Sequence, residues 1–431
     1  MNSIVGVNVQ SEIGKLQGVI IHTPGEEVEN MTPGNAERAL YSDIINLSIA
    51  REEFKQLNGV LSKLTKTYEV RDLLYNVLKD EKNKQEVLDR IEVIEPFIGA
   101  PSLKGSLKEQ LMDKDAKELA RLLIEGVEMT KDTLTKFLSK DWYSLRPLHN
   151  LFFTRDASMS IYNKVLIGRM ANAVRDRESV IMRSIFDFTP EFATSTLNLP
   201  VPNGVYKPRR VSIEGGDVLI AREDVLVIGN GSRTTTQAID ELIYEFINRK
   251  TEHVQHIIVQ QLPHTPESFI HLDMVFTFLD RDKCMVFEPL IMNPGSANQT
   301  VHIRIQNGKV LSIRNEKNIL SALKKLGMDL EPVLCGGSDE WNQEREQWHS
   351  GANFLCVGPG QVVGYGRNNY TIEAMNDAGF DIIRANDIIE GRAKLDDRTV
   401  CVITIDGSEL PRGGGGARCM TMPVNRSAVK W

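Results

Sequence analysis

Cys419 closes the stretch RGGGGARCM, Arg412 to Met420, in which four glycines stand together before the cysteine's own neighbours. Glycine orders least willingly, so a run of four serves backbone freedom or close approach rather than packing. Three further segments carry titratable groups in apolar surroundings. They are HNLFFTRDASMS with Asp156, SIEGGDVLI with Glu214 and Asp217, and FIHLDMVFTF with His271 and Asp273. A thiolate beside an imidazole is a nucleophile suited to electrophilic carbon. Paired carboxylates match the fork of donors on a planar guanidinium. Together these types point to attack by Cys419 on the central carbon of a guanidinium. A metal site is the second reading of the same ligands. Hard-metal sites seldom include a thiolate, however, and the tetrahedral zinc spacings are missing.

Taken singly, each segment has a plainer reading. HLD lies in a β-favouring run, and on a strand His271 and Asp273 share one face. A hydrogen-bonded core histidine with a rim aspartate fits that placement equally well. EGGD reads as a turn or bulge. Asp156 reads as a turn or strand-end residue with Arg155 as its salt-bridge partner. Spacing changes the balance. Asp156 and Glu214 are 58 positions apart, Glu214 and His271 57. Segments 164–186 and 224–246 resemble each other, and 361–383 resembles both: an apolar strand, a glycine, an arginine, then a helix. Repetition on this scale marks a supersecondary unit used several times. If the units surround an axis, Asp156, Glu214, His271 and Asp273 converge on it.

The elements that must position these groups follow from composition and pattern. The chain has 431 residues, 41% of them hydrophobic, enough for a large core. Length alone suggests about two or three domains. A net charge of −7 gives no reason to expect nucleic acid or a membrane surface as partner. Five cysteines without CxxC or Cys/His metal spacing speak against disulfides and structural zinc. The amino terminus has no basic, apolar leader pattern, and no apolar run approaches a membrane span. The expectation is a cytoplasmic protein. LQGVIIHTP, 16–24, reads as a buried strand stopped by Pro24 and Gly25. From about residue 35 to 141 the texture turns helical, with apolar residues three and four apart, and 75–140 reads as a helical subdomain. From Asn150 short β runs alternate with single helices.

These residues resemble a known family. IGKLQGVIIHTPGEEVENMTP, HNLFFTRD, EGGDVL, HLDMVF, REQWHSGAN and RGGGGARCMTMP resemble arginine deiminase, of the guanidine-modifying superfamily, in order and separation over nearly the whole chain. The resemblance implies an α/β fold, a five-bladed α/β propeller (pentein) of repeated ββαβ units. It implies one catalytic domain, 1–431, interrupted by a helical insert at about 75–140. It implies Cys419 as nucleophile, His271 as general acid and base, Asp156 and Asp273 as carboxylates for the guanidinium, and Glu214 as support for the histidine. Asn150, Phe153, Arg175 and Arg233 match substrate-binding positions, the two arginines suiting a free α-carboxylate. The implied reaction turns L-arginine into citrulline and ammonia through a covalent thiouronium, with no metal or cofactor, in a homo-oligomer. The same scaffold also serves amidinotransferases and arginine dihydrolases, and a non-catalytic arginine-binding protein is the reading from another class. One departure stands out. Gly414 occupies a substrate-side loop position where the family usually carries arginine, with Arg412 and Arg418 left nearby as substitutes. A smaller departure is LYSDI, 40–44, where an acidic residue is usual before the aspartate.

Overall fold

The structure is a computed structural model that describes residues 5–31, 41, 43–95, 107–200, 211–249 and 253–431. Of LYSDI, Leu40 and Ser42 lie outside the described residues.

Five sheets share one construction: an antiparallel strand pair, one strand of which pairs in parallel with a third strand reached through at least one helix. The first unit is Ser158–Ile161, Lys164–Ile167 and Thr196–Leu197. The second is Val218–Arg222, Val225–Asn230 and Gln255–Gln261. The third is Phe276–Phe278, Lys283–Val286 and Glu331–Leu334. The fourth is Leu355–Gly358, Gln361–Tyr365 and Cys401–Ile405. The fifth joins both ends of the chain: Met422–Arg426 pairs with Leu16–Ile21, which pairs with Lys66–Glu69. The three similar segments noted above coincide with the second strand and helix of units one, two and four. A hairpin, Thr300–Gln306 and Lys309–Glu316, extends the second sheet.

The strand sequences explain themselves by burial. In Val225–Asn230 the run VLVIG is wholly buried. Successive strand side chains point to opposite faces. Here Val225 and Val227 enter one core cluster, Leu226 and Ile228 another. Both faces are covered, so the strand reads as a continuous aliphatic run rather than an alternation.

Helix Leu47–Leu64 starts at Asn46, whose side chain accepts from the backbone N–H of Ser48 and Ile49. It buries Ala50, Phe54, Leu57 and Leu61, a three-and-four spacing that makes one apolar face. The helical insert comprises Val70–Leu78, Glu81–Ile94, Leu107–Met112, Ala116–Glu125 and Leu134–Leu138. It begins five residues before the expected 75. Leu74, Leu88 and Leu123 share one cluster with Ile181, Ile185 and Val424, so the insert packs directly on the first and fifth units.

Two local expectations need correction, for HLD and for the end of the first strand, while the turn readings of Asp156 and EGGD hold. HLD is not on a strand: His271 caps a short turn, Leu272–Met274, and the strand starts only at Phe276. Ile270, Met274 and Phe276 look strand-like because the turn packs them inward. Asp156 lies in a single helical turn, Thr154–Ala157, and Gly215–Asp217 forms another behind Glu214. The first strand ends at Ile21, before Pro24.

Candidate active site

Each strand pair is entered through a tight turn that carries a polar side chain. Asp156 precedes Ser158, Glu214 precedes Val218, and His271 and Asp273 precede Phe276. Asn353 precedes Leu355, and Cys419 precedes Met422. All of these residues are buried, none more than 3% exposed. A charged group in such a place needs partners or a task.

His271 Nε2 lies 2.9 Å from Glu214 Oε2, and its Nδ1 lies 3.8 Å from Asp156 Oδ1. Burial pulls the imidazole pKa down, but Asp156, the Glu214 hydrogen bond and Asp217 outweigh it and raise it to about 9. Burial would raise the Glu214 carboxyl. Its bond to His271 and the charges of Arg233, His271 and Arg175 hold it below the usual range instead. Glu214 also accepts from the backbone N–H of Ala171 at 2.8 Å. Asp217, pushed up to about 7 by burial, accepts from the backbone N–H of Leu272 at 2.8 Å and so fixes the turn that carries His271.

Cys419 Sγ lies 3.6 Å from Asp273 Oδ2 and accepts from Asn353 Nδ2 at 3.1 Å. Asn353 Oδ1 in turn accepts from the backbone N–H of Arg418 and Cys419, at 3.0 and 3.2 Å. Burial, then the charges of Asp273 and Asp156, hold the thiol well above its ordinary pKa.

The glycine run has two physical reasons. A Cβ on Gly415 would stand 2.6 Å from Phe153 Cε1 and 2.9 Å from Cys419 Cβ. The loop backbone therefore lies flat on the Phe153 ring, itself 4.1 Å from the Phe152 ring, centre to centre. Gly414 has φ +87°, the left-handed region that favours glycine, and a Cβ there would meet no described atom within 4 Å. Gly414 thus offers backbone alone. The loop's entrance is fixed from helix Leu47–Leu64: Glu53 accepts from the backbone N–H of Ser408, Glu409 and Leu410.

Arg175 reaches the site, but carboxylates hold its guanidinium. It binds Asp156 Oδ2 at 2.8 Å and Glu178 Oε2 at 2.8 Å, and also reaches the Asn150 carbonyl at 3.4 Å. Arg233 stands 3.8 Å from Glu214 and keeps its side chain 14% exposed. Asn150 and Phe153 bracket the turn that leads to Asp156. Arg155 is not the partner of Asp156: its Nε donates to the Arg418 carbonyl at 3.3 Å, and its second terminal nitrogen has no described partner.

The sequence assigned no task to Asn353 or Glu12, and offered Arg418 only as a substitute for the loop arginine, whereas its side chain is held by Glu12 and Asp273. Asn353 had a usable signal, the GAN of REQWHSGAN just before a strand. Glu12 had none, since its contacts to Arg418 span 406 positions.

Asp156, Glu214 and His271 offer ligand atoms within 4.8 Å of one another, the donor set of a metal site. Two arginines stand against the same carboxylates, with Arg175 2.8 Å from Asp156 and Arg233 3.8 Å from Glu214. Fixed cations at that range oppose a dication. The buried atoms with no hydrogen-bond partner among the described residues include Asp156 Oδ1, Asp273 Oδ1 and His271 Nδ1. Two unpaired carboxylate acceptors beside a thiol suit a planar cation with several N–H donors, and the His271 Nδ1–H is left as a proton donor facing the same space.

Comparison with known proteins agrees with this chemistry. A model of the arginine deiminase family matches residues 37–426. An arginine deiminase of Bacillus cereus is 32% identical over 434 residues, covering 98% of this chain and 99% of its own. One from Listeria monocytogenes is 32% identical over 435 residues, covering 98% of each. Among solved structures, a Microseira wollei amidinotransferase of saxitoxin biosynthesis aligns with a TM-score of 0.52 at 14% identity, covering 98% of both chains. The N-terminal domain of a cyanobacterial arginine dihydrolase aligns at 0.51 and 13%, covering 95% of this chain and 98% of its own. The fold is thus the mixed α/β fold of these structures.

Proposed function

The chain belongs to the arginine deiminase family, and from that premise we propose that it hydrolyses free L-arginine to L-citrulline and ammonia through a covalent intermediate on Cys419. The observation that carries the reading is the pair of buried, unpaired carboxylate oxygens, Asp156 Oδ1 and Asp273 Oδ1, with the Cys419 sulfur 3.6 Å from the other oxygen of Asp273. We further propose that the five like sheets are blades around one axis, on which the turn residues meet, within one catalytic body that carries the helical insert.

The substrate guanidinium settles between Asp156 and Asp273. Its positive charge offsets the two carboxylates that raise the thiol pKa, so Cys419 releases its proton to solvent as arginine enters, and takes one back when citrulline leaves. The sulfur attacks the guanidinium carbon. His271 gives its proton to one nitrogen, the C–N bond breaks and ammonia leaves. A thiouronium remains on sulfur. His271, now neutral and held by Glu214, takes a proton from water as the oxygen adds to the same carbon. The C–S bond breaks, the electron pair returns to sulfur, and loss of the hydroxyl proton gives citrulline. As the substrate takes Asp156, Arg175 exchanges that carboxylate for the α-carboxylate of the amino acid, with Arg233 as its second binder. Asn150 and Phe153 line the same end, and the Gly414 backbone lies over it.

Product analysis by mass spectrometry after incubation with L-arginine tests the reading. Citrulline and ammonia in equal amounts are expected. Ornithine as product would make the protein a dihydrolase. Amidine transfer to added glycine would make it an amidinotransferase. Arginine bound but unchanged would leave a binding protein.

A further inference from the structure

Arg418 stands directly before the proposed nucleophile, and its side chain is 1% exposed. Its three nitrogens are all engaged. One terminal nitrogen donates to Asp273 Oδ2 at 2.7 Å. Nε and the other terminal nitrogen donate to the two oxygens of Glu12 at 3.2 and 3.1 Å, and the latter also to the Val218 carbonyl at 2.9 Å. Glu12 is fixed from its far side, accepting from the backbone N–H of Ile220 at 3.2 Å. The carboxylate torsion of an aspartate is broad and two-fold, so an aspartate held at one point can present either oxygen. Arg418 removes that freedom. It occupies Oδ2 and leaves Oδ1 without a described donor. Around the thiol, burial and the charges of Asp273 and Asp156 favour the protonated form, the Gly416 backbone bond and the Arg418 charge oppose it, and the Tyr365 hydroxyl also feels the sulfur.

We propose that Arg418, braced by Glu12, is a positioning residue for this reaction: it fixes Asp273 so that Oδ1 receives the substrate guanidinium, and it keeps a permanent cation beside Cys419. The proposal rests on the guanidine-hydrolysing reading above. It differs from a packing role because charge and fork geometry do separate things. A lysine supplies the charge as a point and cannot bridge Glu12 and Asp273.

Two measurements on the full-length protein test it: the pH dependence of Cys419 alkylation by iodoacetamide without arginine, and kcat and KM for citrulline formation. Arg418→Gln is expected to move the alkylation profile up by about one pH unit and to lower kcat/KM at least ~10-fold, chiefly through KM. Arg418→Lys restores the alkylation profile but not KM. Glu12→Gln raises KM, and Glu12→Gln with Arg418→Gln costs less than the two single losses combined. A folded Arg418→Gln protein with the wild-type alkylation profile, kcat and KM overturns the proposal. Should Arg418→Gln not fold, wild-type KM in both Arg418→Lys and Glu12→Gln overturns it equally. A wild-type protein that makes no citrulline, yet whose alkylation profile shifts in Arg418→Gln, sinks the reaction assigned above and upholds the place of Arg418 beside the thiol.

Discussion

Proton affinity at His271 and Cys419, the side chains that we propose react, is set by named neighbours, and each neighbour can be removed. Glu214 supports a high His271 pKa through a 2.9 Å hydrogen bond. Glu214→Gln keeps a hydrogen-bonding oxygen but loses the charge. The imidazolium then gives up its proton at lower pH, so the alkaline limb of kcat/KM moves down, and kcat falls by ~10²-fold or more. A pH–rate profile of the variant checks this, and an unmoved alkaline limb would contradict it. Cys419→Ser removes the sulfur that we propose attacks carbon. Citrulline formation falls by ~10⁴-fold or more while arginine binding persists. Calorimetric titration of arginine into the serine variant separates these two effects.

Short turns before the strands decide where the side chains stand, and the glycine loop before Cys419 is packed tightly against Phe153. Gly415→Ala would press a methyl into Phe153 and against Cys419. The loop must lift, and a misplacement of about 1 Å costs ~10²-fold in rate. We expect a large loss of kcat with a small change in unfolding midpoint; wild-type kcat would contradict the close packing. This scale also shows what a sequence can and cannot reveal. The repeat at 164–186, 224–246 and 361–383 was legible because strand and helix periodicities survive in single segments. The turn at HLD was not, because buried turn residues and buried strand residues are equally apolar. Asn353 escaped because inserted segments break the near-constant spacing that linked Asp156, Glu214 and His271. Arg155 was misread as the partner of Asp156 because adjacency in sequence says nothing of direction within a helical turn.

Closure of the chain on itself makes its two ends one unit, and a buried charge cluster ties that unit to the helical insert. His22 follows the strand Leu16–Ile21 and is fully buried. Its ring nitrogens lie 3.0 Å from Glu69 and 3.1 Å from Glu27, and Glu27 also pairs with Arg71 on helix Val70–Leu78. Burial lowers the His22 pKa, but the bonds to Glu27 and Glu69 outweigh it and raise it to about 9. A raised folded-state value means that His22 stabilises the fold fully below pH ~6.5 and ceases to do so as pH climbs toward 9. The loss is on the order of 3 kcal/mol at most. His271 adds a loss of the same sign. Denaturant midpoints at pH 6 and pH 9 should therefore differ in the wild type, and the difference should shrink, not vanish, in His22→Gln. An unchanged difference would contradict the account. The five-unit architecture was expected only through resemblance to the family. Long-range partners such as His22 with Glu69, or Glu12 with Arg418, leave no local mark in a sequence.

The central claim is a covalent bond between Cys419 and the substrate carbon. Acid quenching within milliseconds of mixing with L-arginine, followed by intact-mass and peptide mass spectrometry, tests it most directly. The account predicts an adduct of arginine less ammonia, located on the peptide that contains Cys419 and absent in Cys419→Ser. Citrulline production with no adduct, in a protein whose Cys419→Ser variant still turns over, would contradict it.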